Sequence, residues 1–212
     1  MTEGPGRGLT NRYYDNRPDF VVERQKIFEP MWACVGFASH VPEPGDVSPI
    51  EFMELPLLLV RDNGGELRVF HNVCRHRGHV LVTERGQTGH SLRCPYHSWT
   101  YALDGTLLRT PHIGGSGVHH TSGFDRSNHP LVAVRSATWN DLVFINLDGE
   151  ADDFARFIEP LEKRWAGLWG TTGPGSLRYA PDYSAISFEL ETNWKLAVEN
   201  YLEAVSYTHL TL

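Results

Sequence analysis

The segment CRHRGHVLVTERGQTGHSLRCPYH (residues 74–97) contains two Cys/His pairs that are separated by seventeen residues. Cys74 and His76 form the first pair, and Cys94 and His97 form the second. Thiolate and imidazole are good ligands for transition metals, and a gap of this length suits two loops at the ends of neighbouring hairpins. The segment therefore predicts a metal site that is built from two hairpin tips.

Two kinds of metal site use two cysteines and two histidines. In a Rieske-type [2Fe–2S] centre, two Cys hold one iron and two His hold the other, which raises the reduction potential to about −150 to +300 mV, against about −400 mV for all-Cys plant-type clusters. A structural zinc site is the alternative, but zinc modules usually begin with C-x₂₋₄-C and end with H-x₃₋₅-H. This chain instead places one Cys and one His in each loop, which favours the iron–sulfur cluster.

The composition limits the other classes of function. The chain has 212 residues and a formal net charge of −7, which allows one large or two smaller domains and predicts no nucleic-acid partner. The stretch Met1–Arg12 has no apolar leader, and the longest apolar run, Leu55–Val60, is too short to cross a bilayer. We therefore expect a cytoplasmic protein without a membrane partner. Cys34 lies in an apolar run and is expected to be a buried small side chain.

Short apolar runs separated by turn residues predict an antiparallel β domain flanked by helices, an α+β fold. Helices are predicted from about Pro18 to Pro30, from Asp152 to Trp169 and from Asn193 to Glu203. The predicted strands are 32–37, 47–52, 57–61, 66–71, 80–84, 91–93, 99–102, 106–109, 131–139, 142–147 and 184–190. These patterns divide the chain into an N-terminal helical segment (1–30), a β domain (31–148) and a C-terminal segment (149–212).

The segments CRHRGH (74–79) and CPYHSWTYALDG (94–105) resemble the Rieske domain of the large (alpha) subunits of ring-hydroxylating oxygenases. The resemblance runs from about Tyr13 to about Glu203. It implies a [2Fe–2S] cluster of the lower-potential oxygenase type, because these loops lack the additional Cys of respiratory Rieske proteins. The ligands that it implies are Cys74, His76, Cys94 and His97.

The resemblance also implies partners and a second metal. Such subunits take electrons derived from NAD(P)H through a ferredoxin or reductase, assemble as trimers, and use O₂ to hydroxylate an organic, commonly aromatic, substrate at a mononuclear non-haem iron. That iron belongs to a helix-grip α+β catalytic domain, whose beginning would occupy residues 149–212.

The helix NWKLAVENYLE (193–203) resembles the segment that opens this catalytic domain. The resemblance gives Glu203 the role of the acidic residue that links the cluster to the mononuclear iron, with two His ligands at the third and eighth residues after it. Ser206 and Thr211 stand there instead, and His209 is out of phase with that spacing. We therefore expect residues 205–212 to be non-native and the chain by itself to be inactive as an oxygenase. From its pattern alone, the helix is amphipathic with a solvated polar face.

Three hypotheses follow for function: an oxygenase large subunit, a Rieske ferredoxin that only carries electrons, and a zinc-stabilised interaction module. The stretch beyond Leu147 favours the first, because a carrier needs only the β domain. Basic residues on or near the ligand loops suggest a docking surface for an acidic electron donor, or alternatively braces of the loops. These residues are Arg75, Arg77, Arg85, Arg93 and Arg109.

Overall fold

A computed structural model describes residues 9–168, residue 180 and residues 190–202. Ten strands form two antiparallel sheets, which confirms the predicted β domain. The larger sheet has the order β1-β10-β9-β4-β3-β2-β5, and the smaller sheet has the order β6-β7-β8. The strands are β1 (Ala33–Phe37), β2 (Asp46–Phe52), β3 (Leu55–Arg61), β4 (Leu67–His71), β5 (Gly86–Gln87), β6 (Ser91–Arg93), β7 (Thr100–Ala102), β8 (Leu107–Arg109), β9 (Ala133–Trp139) and β10 (Leu142–Asn146).

Strand β3 is central to the larger sheet, and it is buried on both faces. Successive side chains of a strand point to opposite faces, so an uninterrupted apolar run is what a doubly covered strand requires. Leu58 and Val60 enter the hydrophobic core that also contains Cys74 and Cys94. Leu57 and Leu59 point the other way, into a second core with β9 and β10. The loops with the Cys/His pairs are therefore anchored on a tightly packed framework.

Residues 80–84 do not form the predicted strand. Val80 makes only an isolated bridge to Val73, and the next paired strand is β5. The side chain of Asn72, which is 2% exposed, takes over the backbone hydrogen bonds of this segment. Its amide oxygen accepts from the N–H groups of Leu81 and Val82, and its amide nitrogen donates to the Val82 carbonyl. One buried side chain thus replaces a partner strand.

Cys34 corrects a second expectation, because it is exposed. It lies on β1, which is an edge strand of the larger sheet. Only alternate positions of such a strand face the core, so a continuous apolar run overstates burial at an edge.

Two compact units divide the described chain. The first contains the sheets and α3 (Phe154–Trp165), which runs through Pro160 without a break. The second contains α1 (Arg12–Asp15), α2 (Arg17–Glu23) and α4 (Trp194–Leu202). The chain passes from α2 into a five-residue π-helical turn, Arg24–Phe28, which ends before Pro30 as predicted. Within the described ranges, no helix is both long and apolar enough to span a bilayer.

Part of the polar face of α4 is packed rather than solvated as its pattern suggested, although Glu199 and Asn200 are exposed. The Glu23 carboxylate accepts hydrogen bonds from Lys195 Nζ at 2.6 and 2.7 Å and from Trp194 Nε1 at 2.9 Å. Tyr14 donates its hydroxyl to Glu199 at 2.9 Å. The Lys195 side chain is only 11% exposed, so this ion pair is largely shielded from water. The N-terminal helices and α4 thus form one hydrogen-bonded unit.

Candidate metal centre

The two Cys/His loops have the same backbone design. Loop 1 (residues 74–79) lies between the paired residues Val73 and Val80, and loop 2 (residues 94–99) connects β6 to β7. In each loop, the Cys N–H donates to the carbonyl five residues later at 2.8 Å, and the Cys carbonyl accepts from the N–H four residues later at 3.0 Å. Both loops are therefore hairpin tips, as predicted, and they share one backbone pattern, although the His is the third residue of loop 1 and the fourth residue of loop 2.

The two sulfur atoms lie at the buried base of the site. Cys74 is 2% exposed and Cys94 is 1% exposed. Burial raises the pKa of the Cys74 thiol and the neighbouring Cys94 raises it further, although hydrogen bonds from Tyr101 and the His76 backbone act in the opposite direction. A thiol in such surroundings keeps its proton unless a metal cation replaces it. The pair is thus suited to bind a metal rather than to act as a free thiolate.

The two imidazole rings lie next to each other. The centroids of His76 and His97 are 4.8 Å apart, and the rings are inclined by 71°. The Nδ1 atom of each ring is buried and has no hydrogen-bond partner within the described part of the chain. Burial lowers the pKa of His76, and the charges of His97 and Arg77 lower it further, so the neutral form that binds metals is favoured. A metal at Nδ1 would satisfy both of these otherwise costly polar atoms.

Aromatic side chains cover the histidines on two sides. Trp99 is 3% exposed and stacks on the His76 ring, with a centroid distance of 4.7 Å and an interplanar angle of 6°. Tyr96 packs on His97 at 3.7 Å, and it is 57% exposed. A buried indole therefore covers one face of the His76 ring, whereas the outer side of loop 2 remains accessible.

Tyr101 is a site residue that the sequence analysis missed. Its hydroxyl lies 3.3 Å from Cys74 Sγ and accepts a hydrogen bond from the Arg75 N–H at 3.0 Å. Burial raises the pKa of Tyr101 and the hydrogen bond with Cys74 raises it further, so the hydroxyl stays protonated. A signal was present in the sequence, since a tyrosine in an apolar strand must find a polar partner for its hydroxyl.

The arginines of the predicted docking surface have different surroundings. Arg75 and Arg77 are exposed on loop 1. Arg93 donates to the Ser98 hydroxyl at 2.8 Å, and Arg85 donates to the Ser39 carbonyl at 3.3 Å. Two of the five arginines thus brace the local structure. Arg109 is exposed on β8, where it pairs with Thr100.

These side chains form a mixed sulfur and nitrogen ligand set. Among the described residues, no three His, Cys, Asp or Glu side chains surround one point closely enough to hold a single metal ion. A [2Fe–2S] cluster asks for two protein ligands on each of its two irons. Two buried sulfurs, together with two buried Nδ1 atoms that have no partner among the described residues, fit that requirement. Glu203, His209 and residues 205–212 lie outside the described residues, as does the predicted strand at 184–190 except Leu190.

Comparison with known proteins agrees with this fold. Residues 31–125 match the Rieske [2Fe-2S] domain model. The chain thus contains a Rieske [2Fe–2S] domain, and the metal centre of such a domain is an iron–sulfur cluster.

The relatives define the class further. The carnitine monooxygenase oxygenase subunit of Acinetobacter pittii is 31% identical over 195 residues, which are 90% of this chain and 49% of that protein. The glycine betaine monooxygenase oxygenase subunit of Pseudomonas aeruginosa is 31% identical over 92% of this chain and 42% of that protein. This chain is a homologue of the alpha subunits of Rieske oxygenases, and it spans about half the length of the curated relatives it matches.

Solved structures support the same relationship. The apo form of a quaternary ammonium Rieske monooxygenase superposes with a TM-score of 0.79 at 29% identity, covering 93% of this chain and 55% of that one. Naphthalene 1,2-dioxygenase from Rhodococcus sp. superposes with a TM-score of 0.68 at 28% identity, covering 91% of this chain and 43% of that one.

Proposed function

We propose that this chain is the cluster-bearing part of the oxygenase subunit of a Rieske non-haem iron oxygenase. Cys74 and Cys94 would hold one iron of the [2Fe–2S] cluster, and His76 and His97 would hold the other through Nδ1. The observation that carries the proposal is that two neighbouring His rings, whose buried Nδ1 atoms have no hydrogen-bond partners among the described residues, lie on the same two loops as two buried Cys sulfurs.

Different residues would surround the Cys end and the His end of the cluster. When bound, the cluster would accept and pass on single electrons. Tyr101 can donate a hydrogen bond to the Cys74 thiolate, which favours the reduced state because the sulfur then carries more negative charge. Trp99 covers one face of His76, and the partly exposed His76 and His97 rings would be the path for electrons to and from a partner.

The electron donor would be a ferredoxin or a reductase that uses NAD(P)H. Residues 74–130 contain six arginines and three acidic residues, although the chain as a whole has a net charge of −7. This region would attract a donor with an acidic surface, and the negative charge of the remainder of the chain would repel it. A trimeric assembly, with or without a small subunit, belongs to the same proposal.

Glu203 would link the cluster to a mononuclear Fe(II) in a catalytic domain that lies largely beyond this chain. The role comes from the resemblance of residues 193–203 to the start of that domain. It is supported by the position of α4, whose polar face is fixed by Glu23 and Tyr14. A firmly held helix is a suitable base for a residue that must bridge two metal centres. The domain boundaries at residues 30 and 148 also remain a proposal.

The substrate would be a quaternary ammonium compound, which would be monooxygenated. Carnitine and glycine betaine monooxygenases are the relatives that support this class, and they take the place of the aromatic substrate that the motif resemblance suggested. Naphthalene 1,2-dioxygenase shares the fold, so aromatic hydrocarbons are the comparison substrates in any assay.

The test of the cluster is metal and sulfide analysis of the chain purified without oxygen. We expect two irons and two sulfides per chain and a coloured protein. Cys74→Ser and His97→Ala should lose both, and His79→Ala is the matched control, because His79 is an exposed histidine of loop 1. Zinc without iron or sulfide would refute the proposal. Oxygen uptake with carnitine-type and aromatic substrates, in a protein extended through its catalytic domain, then tests the activity.

A further inference from the structure

The two loops share a backbone hydrogen-bond pattern but carry different side chains at the position where the backbone is strained. The fifth residue of each loop adopts a positive φ, +71° at Gly78 and +57° at Ser98. This left-handed conformation suits glycine and costs other residues about 1 kcal/mol or more, because Cβ approaches the backbone. Loop 1 uses a glycine there, whereas loop 2 places a serine in the same strained conformation.

The hydroxyl of Ser98 has a specific partner. Ser98 Oγ accepts a hydrogen bond from Arg93 Nη2 at 2.8 Å, and the Ser98 carbonyl accepts one from Thr100 Oγ1 at 3.1 Å. Arg93 immediately precedes Cys94, and Ser98 immediately follows His97. The side-chain bond therefore closes loop 2 across its neck, where Arg93 and Thr100 are the last paired residues of β6 and β7.

This bond has an electrostatic consequence. A free, exposed arginine samples many rotamers, but Arg93 is held with its guanidinium beside the residue that follows His97. Loop 1 has no counterpart of this hydrogen bond, since Gly78 lacks a side chain and Val73 precedes Cys74; its own charge near His76 is that of Arg77. A positive charge fixed near one histidine ligand stabilises the state of the site that carries the additional electron.

We propose that Ser98 is a positioning residue of the cluster: it accepts backbone strain in loop 2 so that its hydroxyl can hold Arg93 beside His97, where the charge favours the reduced state. The inference rests on the proposed function, in which His97 is a cluster ligand. It explains why a serine occupies a position at which the equivalent loop has glycine.

The experiment compares reduction potentials of the cluster-containing chain and four variants. Ser98→Gly relieves the strain and removes the acceptor, Ser98→Ala keeps the strain and removes the acceptor, and Arg93→Gln removes the charge. Ser98→Asn is the rescue variant, because Asn tolerates the left-handed region and offers a side-chain oxygen to Arg93.

We expect Ser98→Gly, Ser98→Ala and Arg93→Gln to shift the reduced-to-oxidised ratio at the wild-type midpoint by about two- to fivefold toward the oxidised state. Ser98→Asn should keep the wild-type ratio. The combined variant of Ser98→Gly and Arg93→Gln should shift no further than either alone, because both remove one interaction. The shift should also shrink as salt rises from 0.01 to 1 M, since the charge is exposed.

Each result decides between the two proposals. A wild-type cluster with an unshifted potential in Ser98→Gly or Arg93→Gln would overturn this inference and leave the proposed function in place. A wild-type chain without iron and sulfide would overturn both. If Ser98→Ala loses thermal stability while all potentials stay equal, Ser98 has only a structural role and the inference is wrong.

Discussion

Replacing Tyr101 by Phe is the sharpest test of how the protein tunes its cluster. The aromatic ring is fully buried, so Phe can keep its packing and only the hydroxyl is lost. That hydroxyl lies 3.3 Å from Cys74 Sγ and 3.0 Å from the Arg75 nitrogen. The variant therefore removes a donor to the thiolate and an acceptor for a backbone N–H in one step.

The expected effects can be separated. Leaving the Arg75 N–H without its acceptor should lower the free energy of unfolding by about 1 to 3 kcal/mol. If the bond to sulfur is stronger in the reduced cluster by about 1 to 2 kcal/mol, the reduction potential should fall by about 40 to 90 mV, because a tenfold change corresponds to about 59 mV for one electron.

Redox titration and thermal denaturation of the same preparations measure both quantities. Tyr96→Phe is the control, because Tyr96 is an exposed tyrosine of loop 2 whose loss of a hydroxyl should change neither. If Tyr101→Phe lowers stability but leaves the potential within about 10 mV of wild type, the hydroxyl supports the Arg75 backbone only, and our account of the tuning is wrong.

Further predictions concern pH, the donor and coupling. The pKa of Asp62 is held below its usual value, because hydrogen bonds from Arg68, Glu66 and Gly64 outweigh the effect of burial, which raises it. This stabilisation is complete above the unfolded pKa of about 3.9 and is lost as pH falls through the lowered pKa of the folded state. Asp62→Asn should therefore make the melting temperature fall less steeply at acid pH than it does in the wild type. Parallel curves of melting temperature against pH for the two proteins would contradict this. If His76 and His97 bind through Nδ1, the outward ring nitrogens should lose their protons more readily in the oxidised protein. The reduction potential should therefore fall at alkaline pH, whereas a reduction potential that does not change with pH would exclude histidine ligation. Reduction by the donor should slow as salt rises from 0.01 to 0.1 M and also in Arg77→Gln, and indifference to both would place donor docking elsewhere. In a protein extended through its catalytic domain, Glu203→Gln should keep the cluster spectrum and abolish most substrate oxidation; near-normal turnover would leave Glu203 without the proposed role.

The sequence by itself determined the parts that depend on local chemistry. The spacing of Cys74, His76, Cys94 and His97 predicted two hairpin tips, because ligand type and turn length are properties of short segments. The turn residues around each strand predicted most of the β framework, and β6 was predicted with the bounds that it has in the structure. Local patterns predict the structure correctly where the spacing of apolar residues and the turn residues of a segment are enough to specify it.

Only the tertiary structure decided which distant groups meet. Tyr101 reaches Cys74 across 27 residues, and Asn72 supplies the hydrogen bonds that residues 81 and 82 would otherwise need from a strand. Glu23 binds Lys195 across 172 residues, which shields one charged residue of a helix face that looks fully solvated from its pattern. Each of these contacts depends on how strands and helices are placed against each other. A side chain's partner is set by that placement, and no periodicity within one segment encodes it.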